Sequence, residues 1–154
     1  MATRSIIAKI EAKGIGGADD TIKAVYCHND GYLEHVGTVL DSHYQDEDKV
    51  DELLSHGDLS SLDKNIGEKI NFGDEELRRN NKQCMFYARD RDEKSERKNP
   101  ITLEDDIALI EFADDACDAQ FIYLYAFGAW YVYAFGKDYQ FKELDDVLSK
   151  VYKD

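Results

Sequence analysis

Phe121-Ile122-Tyr123-Leu124-Tyr125-Ala126-Phe127-Gly128-Ala129-Trp130-Tyr131-Val132-Tyr133-Ala134-Phe135 is the stretch that decides the fold. Two runs of aromatic, β-branched and small apolar residues flank Phe127-Gly128, so residues 120–136 read as a β-hairpin closed by a two-residue turn. Glycine in the second turn position leaves the turn type open. Both faces of each run are apolar, which predicts a hairpin that lies centrally and is covered by helices on at least one side.

Working outward, residues 5–12 and 22–27 alternate as strands. Ile6, Ala8 and Ile10 fall on one face, and Ile22, Ala24 and Tyr26 continue it. Gly14, Gly16, Gly17, Asp19 and Asp20 between them supply turn formers, so an N-terminal hairpin is expected. Asn29-Asp30-Gly31 ends the second strand. Val36, Val39, Leu40 and His43 then recur at helical spacing from about Leu33. A further helix is expected from Asp46, with acids in its first turn, Val50, Leu53 and Leu54 inward and Gly57 as its stop. Residues 57–62 read as a turn pinned by Leu59 and Leu62, and residues 83–88 as a central strand. Residues 67–81 and 95–100 read as loops. Thr102 followed by Asp105 resembles a capping pair, and Leu103, Ile107 and Ile110 share a face, which predicts a helix over 103–113. Phe141, Leu144, Leu148 and Val151 mark an amphipathic C-terminal helix. The expected architecture is α+β: a mainly antiparallel sheet made of an N-terminal hairpin, a central strand and a C-terminal aromatic hairpin, packed with four or so helices. Residues 1–154 are expected to form a single compact domain.

The chain carries 33 acidic and 19 basic residues, a formal charge of -14. The excess is uneven, because residues 101–136 hold seven carboxylates and no Lys or Arg, whereas residues 78–98 hold eight bases against four acids. Clustered Lys and Arg drive contact with nucleic acid and anionic membranes by releasing counterions, so this balance disfavours both. At 43% hydrophobic and 12% aromatic the chain is too apolar for a disordered acidic tail. Cys27, Cys84 and Cys117 are widely spaced and odd in number, which signals neither a disulfide framework nor a zinc site. The N-terminus leads into a β-like run instead of a secretory segment, and no apolar stretch reaches membrane-spanning length. A soluble cytoplasmic protein is expected.

Two constellations are candidate sites. His28, Asp30, Tyr32 and His35 include the residue types of a small-ligand or acid–base site, although their spacings close no metal-ligand set; in the plainer reading they form and pack a turn. The second is an acidic surface: Asp46, Glu47, Asp48, Asp51 and Glu52, with Glu104, Asp105, Asp106, Glu111, Asp114, Asp115 and Asp118. Helical turns space carboxylates roughly 5–6 Å apart, close to the phosphate spacing along a nucleic-acid strand, so such a face can compete for a basic groove. Gly14-x-Gly16-Gly17 lacks the Lys-Ser/Thr pair and the following helix of a phosphate loop. Cys27 and His28 are strand neighbours and point to opposite faces, so they make a poor nucleophile–base pair. The tyrosines and Trp130 of the aromatic hairpin lack the basic neighbours of a base-stacking platform and read as core or interface residues.

Thr3-Arg4-Ser5-Ile6, Ala24-Val25-Tyr26-Cys27-His28-Asn29-Asp30-Gly31-Tyr32, Gly37, Leu40, His43-Tyr44, Val50, Leu53-Leu54 and Gly57-Asp58-Leu59-Ser60-Ser61-Leu62 together resemble a family of small uncharacterised proteins encoded by bacteriophages and prophages. The resemblance covers the first 65 residues and extends to Tyr123-Leu124-Tyr125 and Trp130-Tyr131-Val132-Tyr133; the basic middle departs from it, and Asn29 stands where the family pattern leads us to expect an aromatic residue. It implies a mobile-element accessory protein acting in the host bacterial cytoplasm, and no catalytic residue is carried over from it. The expectation is therefore a non-enzymatic monomer or homodimer, without metal or cofactor, that binds and blocks a basic host nucleic-acid-binding or defence protein, such as a restriction or CRISPR component, through a DNA-mimic-like acidic surface. The alternative is a module for a small molecule or nucleotide signal around His28, Asp30, Tyr32 and His35.

Overall fold

The structure, a computed structural model, describes residues 3–11, 21–68, 83–91, 99–136 and 140–151. Strands β1 (Ser5–Glu11) and β2 (Thr21–Cys27) pair antiparallel in full register from Ser5↔Cys27 to Glu11↔Thr21, as their alternation predicts. The glycine-rich connection between them lies outside the described residues. Tyr32 leads into a π-helical turn (Leu33–Gly37) that continues as α1 (Thr38–His43), and α2 (Glu47–Ser55) follows. Asp46 caps α2 by accepting a hydrogen bond from the Asp48 amide, and Gly57 ends the segment with φ of 79°, a conformation that suits glycine.

Next come β3 (Leu59–Ser61), β4 (Met85–Phe86), α3 (Tyr87–Arg91), β5 (Ile101–Leu103), α4 (Asp106–Glu111) prolonged by a π turn over Phe112–Ala116, β6 (Phe121–Ala126), β7 (Ala129–Ala134), β8 (Lys142–Glu143) and α5 (Leu144–Val151). The strands form one mixed sheet in the order β4-β3-β2-β1-β6-β7-β8, and β5 pairs with the first half of β2. The expectation of a mainly antiparallel sheet therefore holds only in part: β1 runs parallel to β6 over Ser5↔Phe121 to Lys9↔Tyr125, and β2 meets β3 in parallel at Cys27↔Leu59. The aromatic hairpin takes its predicted register, with Ala126↔Ala129 nearest the turn, and Phe127 and Gly128 both have positive φ (52° and 81°), which makes the turn type I′.

Alternation along the central strands divides the core between two faces. Ile7, Val25, Tyr123, Tyr125, Trp130 and Val132 pack beneath α1, α2 and α5. Ile6, Ala8, Ile22, Ala24, Ile122 and Leu124 pack beneath α4 through Leu109 and Ala113. The hairpin is thus covered on both faces.

Four expectations are corrected. The predicted 103–113 helix starts later: Ile101, Thr102 and Leu103 form β5, and Asp105 caps α4 by accepting from the Ala108 amide at 2.8 Å. Its buried face is set by Leu109, while Ile107 is 64% exposed. The central strand expected over 83–88 is two residues long, lies at the edge of the sheet beside β3, and turns at once into α3. The 57–62 turn contains β3, although Leu59 and Leu62 are buried as expected. In the C-terminal segment Leu144 and Leu148 face the core, but Phe141 lies ahead of the helix and packs on Tyr133 across the opposite face.

Candidate functional site

The His28–His35 segment is a pinned backbone turn. His28 and Asn29 amides donate to the Leu59 and Ser60 carbonyls, the Gly31 amide to the Thr3 carbonyl, and the Val36 amide to the Asp30 carbonyl. Asp30 has φ of 58°, unusual for a residue with a side chain but tolerated by Asp. A side chain at Gly31 would lie 2.7 Å from Ser5 Cβ and 2.8 Å from the Thr3 carbonyl oxygen, so two backbone segments approach there as only glycine allows.

The four predicted residues are not brought together as one ligand set. The His28 ring pairs with the Tyr26 hydroxyl at 2.6 Å, the His35 ring nitrogen Nε2 with the Leu62 carbonyl at 2.9 Å, and the Tyr32 hydroxyl donates to Asp30 at 3.3 Å. The Asp30 charge raises the Tyr32 phenol above its ordinary pKa. The adjoining Cys27 thiol is wholly buried and burial pushes its pKa up to about 12, which removes it as a nucleophile. An anionic ligand here would need a cation, from Arg78, Arg79 or Arg89, and Arg89 is committed elsewhere: it stacks on Phe86, pairs with the buried Asp90 and donates to the Ile66, Gly67 and Cys84 carbonyls. Arg78 and Arg79 lie outside the described residues. Among the described residues no group of three or more His, Cys, Asp or Glu side chains is placed to hold a metal ion.

All twelve predicted surface acids are exposed. They do not form one surface, because α2 and α4 pack on opposite faces of the sheet. On the α2 side several carboxylates serve the fold. Lys9, 5% exposed at the middle of β1, donates to Asp51 at 2.6 Å and pairs with Glu47 at 3.1 Å, while Asp46 is spent as a cap. Burial lowers the Lys9 pKa, but the bonds and charges of Asp51 and Glu47 outweigh it and the net shift is upward, so the ammonium stays charged. Lys9 is the residue of this site that sequence reading missed. Its place between Ala8 and Ile10 on an alternating strand was the available signal, since the face it shares with Ser5 and Ile7 had to be buried if the sheet is covered on both sides.

The α4 side is freer. Asp105 caps the helix and Asp118 pairs with Arg4 at 3.3 Å. Glu104, Asp106, Glu111, Asp114 and Asp115 stand exposed on the same segment as the exposed Ile107. A shallow cleft of about 430 Å³ lies beside this ridge, lined by Arg4, Tyr26, Asp58, Phe112, Cys117 and Asp118. No helix among the described residues is long and apolar enough to cross a membrane.

No family model, curated protein or solved structure matches the chain.

Proposed function

We propose that the protein is a non-enzymatic binder that blocks a basic, nucleic-acid-binding or defence protein through its acidic surface, with the α4 ridge as the principal contact. The observation that carries this reading is the ridge itself: seven exposed carboxylates lie between Glu104 and Asp118, five of them outside the cap and the Arg4 pair, on the same segment as Ile107, which is 64% exposed. Carboxylates steer a cationic partner and compete with the phosphates it normally binds, and an exposed apolar side chain among them supplies the desolvated anchor that steering alone lacks. The aromatic hairpin serves this role poorly, since Tyr123, Tyr125, Trp130 and Tyr133 are buried and the polar tips of the first three are bonded internally. The setting proposed with it, a phage-encoded accessory protein in a host bacterial cytoplasm, comes from the resemblance read in the sequence, and a restriction or CRISPR component is the kind of target proposed for the acidic surface.

The alternative, a small-molecule or nucleotide-signal module at His28, Asp30, Tyr32 and His35, has less support, because these side chains are bonded to one another or to Tyr26 and Leu62.

The test is a capture experiment from bacterial lysate at low and high salt, run with the parent protein and with a variant carrying Glu104→Gln, Asp106→Asn, Glu111→Gln, Asp114→Asn and Asp115→Asn. A DNA-binding or defence protein retained by the parent, released by salt and absent from the variant supports the reading. A captured partner indifferent to both salt and the substitutions defeats it.

A further inference from the structure

Among the described residues Phe127 is the most exposed large hydrophobic side chain, at 87%. It occupies the first position of the type I′ turn, with φ of 52°. Such turns favour Asn or Asp before Gly, and a bulky side chain at positive φ is sterically disfavoured there. The position therefore carries backbone strain and an unburied ring, with no packing in return.

The hairpin tip stands between two acidic clefts. One is lined by Glu11, which pairs with the partly exposed Lys23 at 3.7 Å, and by Glu47, which shares the buried Lys9 with Asp51. The other is lined by Asp41, Glu143 and Asp145 beside Gly128, and the Asp41 carboxyl is raised by burial and by the neighbouring Asp145 charge. Phe127 lines the first cleft, and Gly128 next to it lines both, so an exposed aromatic ring stands at the edge of carboxylate-lined surface, which complements a planar cation.

We propose that the Phe127 tip docks an arginine-bearing segment of a basic partner protein, with a guanidinium stacked on the ring and carboxylates of the flanking clefts accepting its hydrogen bonds. Charge complementarity selects a cation. The ring beside the carboxylates selects Arg over Lys, because a guanidinium both stacks on an aromatic face and forms forked bonds to a carboxylate, whereas an ammonium is a compact and strongly hydrated charge. A second copy of this chain fits poorly, since it would bring the same carboxylates face to face. The inference rests on reading the protein as a binder of basic partners, and adds a contact at the hairpin tip that is separate from the α4 ridge.

The experiment titrates the full chain with nona-arginine and with nona-lysine, following heat and backbone amide shifts. Nona-arginine is expected to bind the more tightly and to shift residues 126–128. Phe127→Asn should weaken nona-arginine about three- to tenfold, leave nona-lysine within about twofold, and raise the melting temperature, because Asn suits the turn. Phe127→Trp keeps a ring and should keep the arginine preference, which separates loss of the ring from any loss of fold. Shifts confined to residues 104–118, or equal nona-arginine binding by Phe127→Asn, overturn the tip and leave the ridge standing. Absence of shifts at both places overturns both.

Discussion

The hydroxyl of Tyr123, on strand β6, donates a 2.6 Å hydrogen bond to the carbonyl of Gly31, 92 positions earlier in the chain. Two more polar tips of the aromatic hairpin do the same: Trp130 Nε1 donates to the Tyr44 carbonyl at 2.8 Å, and the Tyr125 hydroxyl to the Gln45 carbonyl at 2.9 Å. Each captured carbonyl lies where regular structure ends, at the turn after β2 or at the junction of α1 and α2, and lacks a ladder partner there. The aromatic residues thus supply apolar bulk along their length and an acceptor's missing donor at their tips. That dual use accounts for Tyr and Trp, where Phe would fill the same space.

Tyr123→Phe should destabilise the protein by about 1–3 kcal/mol, because the Gly31 carbonyl keeps its burial and loses its donor. The loss should be local as well as global. Hydrogen exchange at the amides of His28, Asn29 and Gly31, which pin the same turn, should accelerate more than exchange in the β1–β2 pairing. Uniform acceleration across both regions would show that the bond holds nothing in particular in place.

Lys9 ties β1 to α2, and removing one partner should cost more than removing the charge. Asp51→Asn should destabilise by about 1–2 kcal/mol, less than for a fully buried pair because the Asp51 side chain is half exposed. Lys9→Met, which fills the same space without a charge, should stay within about 1 kcal/mol of the parent at neutral pH. The Lys9 pKa is raised above its ordinary 10.5 on folding, so its stabilising contribution is present below that pH and is lost as pH rises through the folded value. Denaturation curves taken from pH 9 to above 10.5 should show a loss of stability at the alkaline end in the parent that is smaller in Lys9→Met.

The three thiols should separate by reactivity. Cys27 is buried with its pKa pushed up to about 12, and burial also raises that of Cys84, which lies against the Tyr44 hydroxyl. Cys117 is half-buried beside the cleft next to the α4 ridge. Brief iodoacetamide treatment of the native protein at pH 8 should therefore modify Cys117 first, with Cys27 and Cys84 reacting only in denaturant. Mass spectrometry of Cys117→Ser, treated in parallel, should show little native labelling; rapid labelling of Cys27 would mean that the turn over it opens readily.

How far the fold was legible follows from where its information sits. The β1–β2 pairing, α2 and the aromatic hairpin are each written in a local pattern: period-two alternation, an Asp cap with a terminal glycine, and a two-residue turn between β-prone runs. The parallel β1–β6 pairing joins Ser5 to Phe121, and nothing local marks it. It is fixed by which strands bury two apolar faces, a tertiary condition. The acidic residues were legible as exposed, but their division between two faces depends on which side each helix packs. The demand of Lys9 on Glu47 and Asp51 was hidden because Lys on a strand ordinarily marks a solvent-facing position.

The misplaced helix start yields a direct test of local against tertiary control. Thr102-Leu103-Glu104-Asp105 imitates a capping pair, yet Thr102 belongs to β5 opposite Lys23 of β2, and the cap is Asp105 bonded to the Ala108 amide. Pairing with β2 wins because three strand residues gain ladder bonds, while a second cap three residues later still satisfies the first turn of α4. Asp105→Ala should then cost about 1 kcal/mol, and Thr102→Ala, exposed on a short strand, about 0.5 kcal/mol or less. Asp105→Asn keeps the acceptor and should recover most of the loss. The reverse ranking of Thr102→Ala and Asp105→Ala in thermal melts would return the cap to Thr102 and place residues 103–105 in the helix.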